Sequence, residues 1–414
     1  MRKLLWLAFV AVVTLVAAPA FAQDVDAAPP TLDGGVEDAV APAPPASTAV
    51  LAPTVPTSAD AAVAAPTEPP EGVAAPATAA GTTLFGVSVR PGLEVIAQYA
   101  YRTTYDAGGN SDWFHLFDVP RVHGSLGAAY GPALGRVVLE GVRSASEGSL
   151  MGVAGDSVVL RVREAWAGVK WPENAGADGL RLEAQAGVVP TLTIPELEGT
   201  WMLRPVSATP LESTGLAAPA DLGATVRFAF PRRYGFVGVG AYDGEGYTNR
   251  ELNRGKNFEG AAVVHPLASV DVLRPFAVFG SMVLGSSGTG LSRANRATGG
   301  LLWQGKRVRA GVTFTYGWGL RDDGNQTGYL LDVFARVEPI DRLLVGARVF
   351  HWNRDTRPGD ANTVSTVIAS VGYRIFDPLE AFLAFDRSLP STSAQVGLPG
   401  TDYWSLRVIG HVVF

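Results

Sequence analysis

The residues able to do chemistry in this 414-residue chain are mostly arginines. Arg102, Arg121, Arg136, Arg161, Arg163, Arg181, Arg227, Arg307, Arg309, Arg348, Arg374 and Arg407 fall on the polar parity of alternating segments, together with Glu94, Glu140, Glu183, Glu259 and Asp332. A guanidinium is always charged and presents a planar fork of donors, so arginines gathered along one aqueous path suit small anionic solutes and oxyanions. Coding bias toward arginine, and Arg–Glu pairs that merely solvate a wide polar face, give the same counts. A second group, Glu196, Glu198, Trp201, Arg204 and Glu212, sits in a long stretch without strand pattern, Pro190 to Asp221. The chain has no cysteine, which excludes thiolate metal sites, disulfide scaffolds and cysteine nucleophiles. His115, His265, His351 and His411 show no metal-ligand spacing, and no cofactor is expected. The slight net acidity and the lack of basic runs argue against nucleic-acid binding.

The elements that must position these residues are strands. From Leu84 onward, runs of about ten residues alternate with period two between Gly, Asp, Asn, Pro and Ser clusters. Val308, Ala310, Val312, Phe314, Tyr316 and Trp318 oppose Arg307, Arg309, Gly311, Thr313, Thr315 and Gly317. Such runs match tilted transmembrane strands better than the shorter strands of soluble sheets. Aromatics near strand ends (Tyr99, Tyr101, Trp166, Trp171, Trp303, Trp318, Trp352 and Trp404) suit girdles at two interfaces. The last segment, Trp404 to Phe414, is apolar or Gly at every second residue and resembles the terminal strand that the barrel assembly machinery reads, with Phe414 as its signal.

Sixteen such runs can be counted between residues 93 and 414, with short connections after even-numbered strands and mostly longer ones after odd-numbered strands. The reading is an all-β, transmembrane antiparallel barrel of about sixteen strands over residues 83–414. A barrel that wide encloses an aqueous lumen, and the polar parity then faces it. Residues 83–414 balance at 31 basic and 31 acidic, so an arginine-rich inner face implies positive charge drawn inward. The 190–221 stretch is long enough to fold into the lumen and narrow it, its acids opposite the arginines; an exposed surface loop is the alternative.

The N-terminus carries Arg2 and Lys3, the apolar run Leu4 to Val16, and Ala20-Phe21-Ala22 before Gln23, the pattern of a signal peptide over residues 1–22. Residues 23–82 hold 18 Ala, 11 Pro and eight acidic residues without a base, the composition of a disordered linker lying in the periplasm. Its role is that of a spacer or of a tether to a periplasmic partner.

Phe117-Asp118-Val119-Pro120-Arg121 followed by Gly124, Arg163-Glu164-Ala165-Trp166, Gly187-Val188-Val189-Pro190 and Ala241-Tyr242-Asp243-Gly244-Glu245-Gly246 resemble segments of the phosphate-selective porins O and P of Gram-negative outer membranes. The resemblance implies a homotrimeric, anion-leaning channel amid outer-membrane lipid and lipopolysaccharide, with luminal arginines and a constricting third loop. The family's phosphate-binding members also depend on lysines, whereas this region has only Lys170, Lys256 and Lys306, none in the long loop. His123-Gly124-Ser125 has the His–Ser spacing of outer-membrane phospholipases, but the parity turns both side chains inward and no Asn-Gly follows. A passive channel is therefore the expectation, with a structural, tethering barrel as the alternative.

Overall fold

The structure, a computed structural model, describes residues 82–84, 86–143, 158–172, 179–248, 255–286, 294–320, 325–357, 362–391, 394–395 and 400–414. The expected signal peptide (1–22) and all but the last residue of the acidic Ala/Pro stretch lie outside the described residues.

The alternating segments form strands. After the short β1 (Thr82–Leu84) come β2 (Val87–Tyr105), β3 (Ser111–Tyr130), β4 (Ala133–Arg143), β5 (Val158–Trp171), β6 (Arg181–Pro190), β7 (Ala220–Ala229), β8 (Gly235–Tyr242) and β9 (Asn257–Val264). They continue as β10 (Phe276–Leu284), β11 (Asn295–Gln304), β12 (Val308–Trp318), β13 (Thr327–Val337), β14 (Leu343–Asn353), β15 (Thr363–Phe376), β16 (Leu379–Pro390) and β17 (Asp402–Val413). From β2 onward each strand pairs antiparallel with the next, and β17 returns to β2 from Asp402↔Tyr105 to Val413↔Glu94. The sheet is a closed sixteen-stranded barrel, as expected, and the three-residue β1 pairs antiparallel with the start of β2. Closure leaves no row of unpaired N–H and C=O groups.

Parity divides the two faces. Leu160, Val239, Leu301, Val312, Phe314 and Leu406 stand exposed on the outside, an apolar surface suited to hydrocarbon. Outward rings cluster on β17, β2 and β3, with Tyr101 at 5.3 Å from Trp404 and Tyr99 at 4.7 Å from Phe117 between centroids. Two tryptophans expected in the girdles turn inward instead. Trp166 packs on Val189 and Tyr242, and Trp352 lies against the interior apolar cluster. In both strands the neighbouring register fixes the parity, and strand-end position alone does not.

Irregularities in register matter for the interior. In β5, Glu164 pairs with Val138 and Val162 with Leu139, so Arg163 is an extra residue. A bulge of this kind sends two consecutive side chains to one face. Both Arg163 and Glu164 are buried as a result. β16 runs to Pro390, and its register with β17 turns Asp386 inward beside Ser405. β3 begins at Ser111, so the first connection of the long-loop end spans only 106–110. At the turn into β8, Gly235 has φ +121°, and a Cβ there would lie 1.8 Å from the Val263 carbonyl oxygen.

The seam between β17 and β2 carries more than ladder bonds. Phe414 and Leu93 exchange backbone hydrogen bonds at 2.8 and 3.2 Å. Inside, Glu94 lies 3.2 Å from His411 and 3.4 Å from His123, while His411 reaches Glu380 at 3.1 Å and His123 reaches Glu140 at 2.9 Å. Carboxylates and imidazoles thus alternate across β16, β17, β2, β3 and β4 in a buried belt. Removing one member of such a network leaves its partners buried without compensation, at a cost of about 3–5 kcal/mol. Glu94→Ala is expected to lower the unfolding free energy of the detergent-folded barrel by that amount, read as a lower midpoint at unchanged slope in a denaturant titration. An unchanged midpoint would show that the belt does not hold the seam.

Candidate functional site

The site is built from the inner face of the barrel and the connection between β6 and β7. That connection contains helix α1 (Thr193–Trp201) and the single turn α2 (Pro210–Ser213). In α1, Ile194, Leu197 and Trp201 recur at helical spacing and form one apolar stripe. The helix ends where Met202 takes a left-handed conformation, φ 51°, its N–H bonded to the Glu198 carbonyl. At the other end Glu259 of β9 accepts hydrogen bonds from the backbone N–H groups of Leu192 and Thr193, both at 2.9 Å, and from Thr193 Oγ1 at 2.6 Å. A carboxylate there also complements the helix dipole. Glu259, expected as a plain luminal acid, is the residue that seats α1.

The loop folds into the lumen. Its apolar residues Ile194, Leu197, Trp201, Leu203, Val206 and Leu211 join one buried cluster with inward side chains of the wall, among them Phe279, Leu302, Leu330, Phe334, Leu344 and Ile409. Trp201 is fully buried and meets Phe334 edge-on at 5.7 Å. Gly346 leaves room for this contact, since a Cβ there would lie 2.3 Å from Leu203 Cδ1. The sequence held this half of the site in plain view, yet alternation could not separate an inward apolar residue from an error of parity.

Several of the expected arginines serve the loop. Arg309 donates to the Gly199 carbonyl at 2.7 Å, Arg348 to the Ala208 carbonyl at 2.8 Å, and Arg407 to the Val206 carbonyl at 2.6 Å. Arg348 also pairs with Asp332 at 3.1 Å and lies 4.5 Å from the Trp201 ring, while Arg407 pairs with Asp386 at 2.7 Å. Arg227 sits 3.6 Å over the Phe236 ring and 3.8 Å from Glu196. Free carbonyls of an irregular loop need donors, and these guanidiniums supply them.

A second group lines the wall of β3–β5. Arg121 lies 3.6 Å from Glu94, Arg163 and Arg161 bond to Glu140 at 3.0 and 2.6 Å, and Arg136 lies 3.8 Å from Glu164. Tyr247 joins Arg161 at 3.0 Å. His123 is bound to Glu140 in this group, so its ring serves the wall and not Ser125. The other expected positions are peripheral. Arg102 donates to Gly400 at 3.0 Å and stacks on Tyr403, Arg181 stands half-buried at the start of β6, and Arg374 pairs with Glu380 at 3.3 Å. Arg307 departs from expectation: it is exposed on the turn before β12 and pairs with Asp341 at 2.7 Å.

The loop acids are spoken for by partners in the loop and on the wall. Arg204 holds Glu212 by two bonds of 2.9 and 3.0 Å and Glu198 at 3.0 Å, Glu198 also accepts the Thr209 N–H, and Glu196 accepts from Gln304 at 2.8 Å. Burial pushes the Glu212 carboxyl up to about 7, against the pull of Arg204. The strands also turn inward Glu164, Asp221, Glu380 and Asp386 as well as Arg296 and Arg336, which reduces the positive excess expected from the sequence. Glu164 was hidden by the bulge.

This arrangement defines a class: a wide, closed, antiparallel barrel narrowed by an inward third long connection. No protein-family model and no curated protein matches the sequence. Solved structures do match the fold. OmpF of Salmonella typhi, in a complex with daunomycin, is 12% identical with TM-score 0.56, over 80% of this chain and 98% of that one. The trimer form of OmpT from Vibrio cholerae is 11% identical with TM-score 0.55, over 80% and 100%. The anion-selective porin from Comamonas acidovorans is 13% identical with TM-score 0.51, over 79% and 100%. The chain therefore has the fold of Gram-negative outer-membrane porins.

Two outcomes follow from the loop's anchoring. Trp201→Ala removes its largest buried side chain, a loss of about 3–5 kcal/mol, and is expected to speed proteolytic cleavage within 190–221 while the barrel stays folded. Equal cleavage rates would refute the anchoring role. Between the ordinary carboxylate range and about 7, docked Glu212 holds a proton that an undocked carboxyl gives up, so docking weakens as pH rises through that window. Cleavage should be faster at pH 8 than at pH 5.5, and Glu212→Gln should remove the difference.

Proposed function

We propose that this protein is an outer-membrane porin, an aqueous channel for passive diffusion of small solutes that leans to anions. The observation that carries the reading is the inward loop, which narrows a sixteen-stranded barrel against a wall bearing Arg121, Arg161 and Arg163 beside Glu94 and Glu140. Fixed guanidiniums along a constriction raise the local concentration of anions. The fold likeness to an anion-selective porin is in keeping with it. Phosphate preference, the property of the O and P family suggested by short motifs, is the finer form of this proposal. It is favoured by the arginine forks and opposed by the shortage of lysine.

Residues 1–22 serve in this reading as a signal peptide and 23–82 as a periplasmic linker. Phe414 closes the strand that the barrel assembly machinery engages, and a homotrimer in lipid and lipopolysaccharide is the assembly, in keeping with the trimer form of OmpT. One observation favours the alternative of a structural or tethering barrel: the loop is packed by an apolar cluster reaching strands from β8 round to β2, as a plug would be.

Planar-bilayer recording separates the two. The channel reading expects stepwise openings and a reversal potential in a KCl gradient displaced toward the chloride potential. Arg121→Gln combined with Arg163→Gln is expected to reduce that displacement. A silent barrel would sink the channel, and a cation preference would sink the anion reading alone.

A further inference from the structure

Among the inward arginines, two stand side by side outside the ion-pair networks described above. Arg309 of β12 and Arg336 of β13 are direct partners in register, so their side chains leave the wall side by side. Opposed residues on one face of an antiparallel pair have Cβ atoms about 4.5–5.5 Å apart. Both residues are more than nine-tenths buried, at 4% and 5% exposure. Like charges in that position repel, and a buried pair normally carries a carboxylate between its members. Glu338, 3.9 Å from Arg336, is the carboxylate at the pair, and it also accepts the Arg342 backbone N–H at 3.2 Å. Glu196 and Glu380 lie in the surroundings but are bound to Gln304 and to Arg374 and His411.

Apart from the Arg336–Glu338 contact, the contacts these guanidiniums make lie at the C-terminal end of α1. Arg309 Nη1 donates to the Gly199 carbonyl at 2.7 Å, and Arg336 Nη1 lies 3.8 Å from Met202 Sδ. The Nε of each is buried and has no hydrogen-bond partner among the described residues. Two adjacent forks with donors to spare, in a buried place short of negative charge, match the several acceptor oxygens of a tetrahedral anion.

We propose that Arg309 and Arg336 hold a resident oxyanion of the phosphate or sulfate class, which ties the end of α1 to the wall and so fixes the constriction loop. The site is separate from the Arg121–Arg163 wall, and its occupant is a fastener of the loop, not a solute in transit. The proposal stands on this geometry and does not require the barrel to conduct.

The test is equilibrium dialysis of the full-length, detergent-folded protein against radiolabelled inorganic phosphate at constant ionic strength. The expected result is one saturable site, displaced by sulfate and not by nitrate. Arg309→Gln and Arg336→Gln should each weaken binding at least tenfold, while Arg307→Gln on the exposed turn leaves it unchanged. Phosphate should also slow cleavage of the 190–221 loop in the unmutated protein, a readout that needs no variant to fold. Binding that survives in both glutamine variants, binding abolished only by Arg121→Gln, or no saturable binding at all overturns the proposal. Because none of these readouts is a current, a silent barrel in the bilayer leaves this test intact.

Discussion

The whole structure rests on the need of every backbone N–H and C=O on its apolar outer face for a partner within the protein. Hydrocarbon offers no hydrogen bonds, so a sheet bearing that face has to close on itself. Here closure is made where β17 meets β2, by a twelve-residue ladder from Asp402↔Tyr105 to Val413↔Glu94 and by the reciprocal bonds of Phe414 and Leu93. Sixteen strands make a ring too wide for its own side chains to fill. The inner face must then be solvated by water, by paired charges or by another part of the chain. This protein uses paired charges on one side and its own 190–221 loop on the other.

That division explains the two populations of arginine. On β3–β5 the guanidiniums meet Glu94 and Glu140, and the belt of carboxylates and imidazoles continues across the seam to Glu380. Elsewhere Arg309, Arg348 and Arg407 turn to loop carbonyls at Gly199, Ala208 and Val206, where an irregular backbone enters the barrel and would otherwise leave acceptors unmet. The same residue type, with the same inward parity, therefore does two kinds of work. The wall group is held in ion pairs with Glu94 and Glu140, and the anchoring group fixes where the loop lies in the lumen.

The loop shows how an apolar stripe and polar anchors divide the task of docking. Ile194, Leu197 and Trp201 give α1 a face that water would expel, but such a face could slide along an equally apolar wall. Glu259 at the helix start and the arginines farther along are directional, and they fix the position that burial only favours. Gly346 completes the fit by leaving space beneath Leu203.

The sequence by itself determined the strands, their number, the two parities and the length of the connection that enters the lumen. Each of these is written in a local period of two or in a local run of turn residues, and such signals need no knowledge of distant partners. Only the tertiary structure decided which inward residues meet. The bulge that turned Arg163 and Glu164 to the same face depends on the register with β4, Trp166 and Trp352 left the girdles because of their neighbours' parity, and Arg307 fell outside the lumen because the strand began one residue later. Alternation states that Arg309 and Arg348 point inward, but it is silent on what lies opposite. That is settled by contacts more than a hundred residues apart in the chain, which no local pattern encodes.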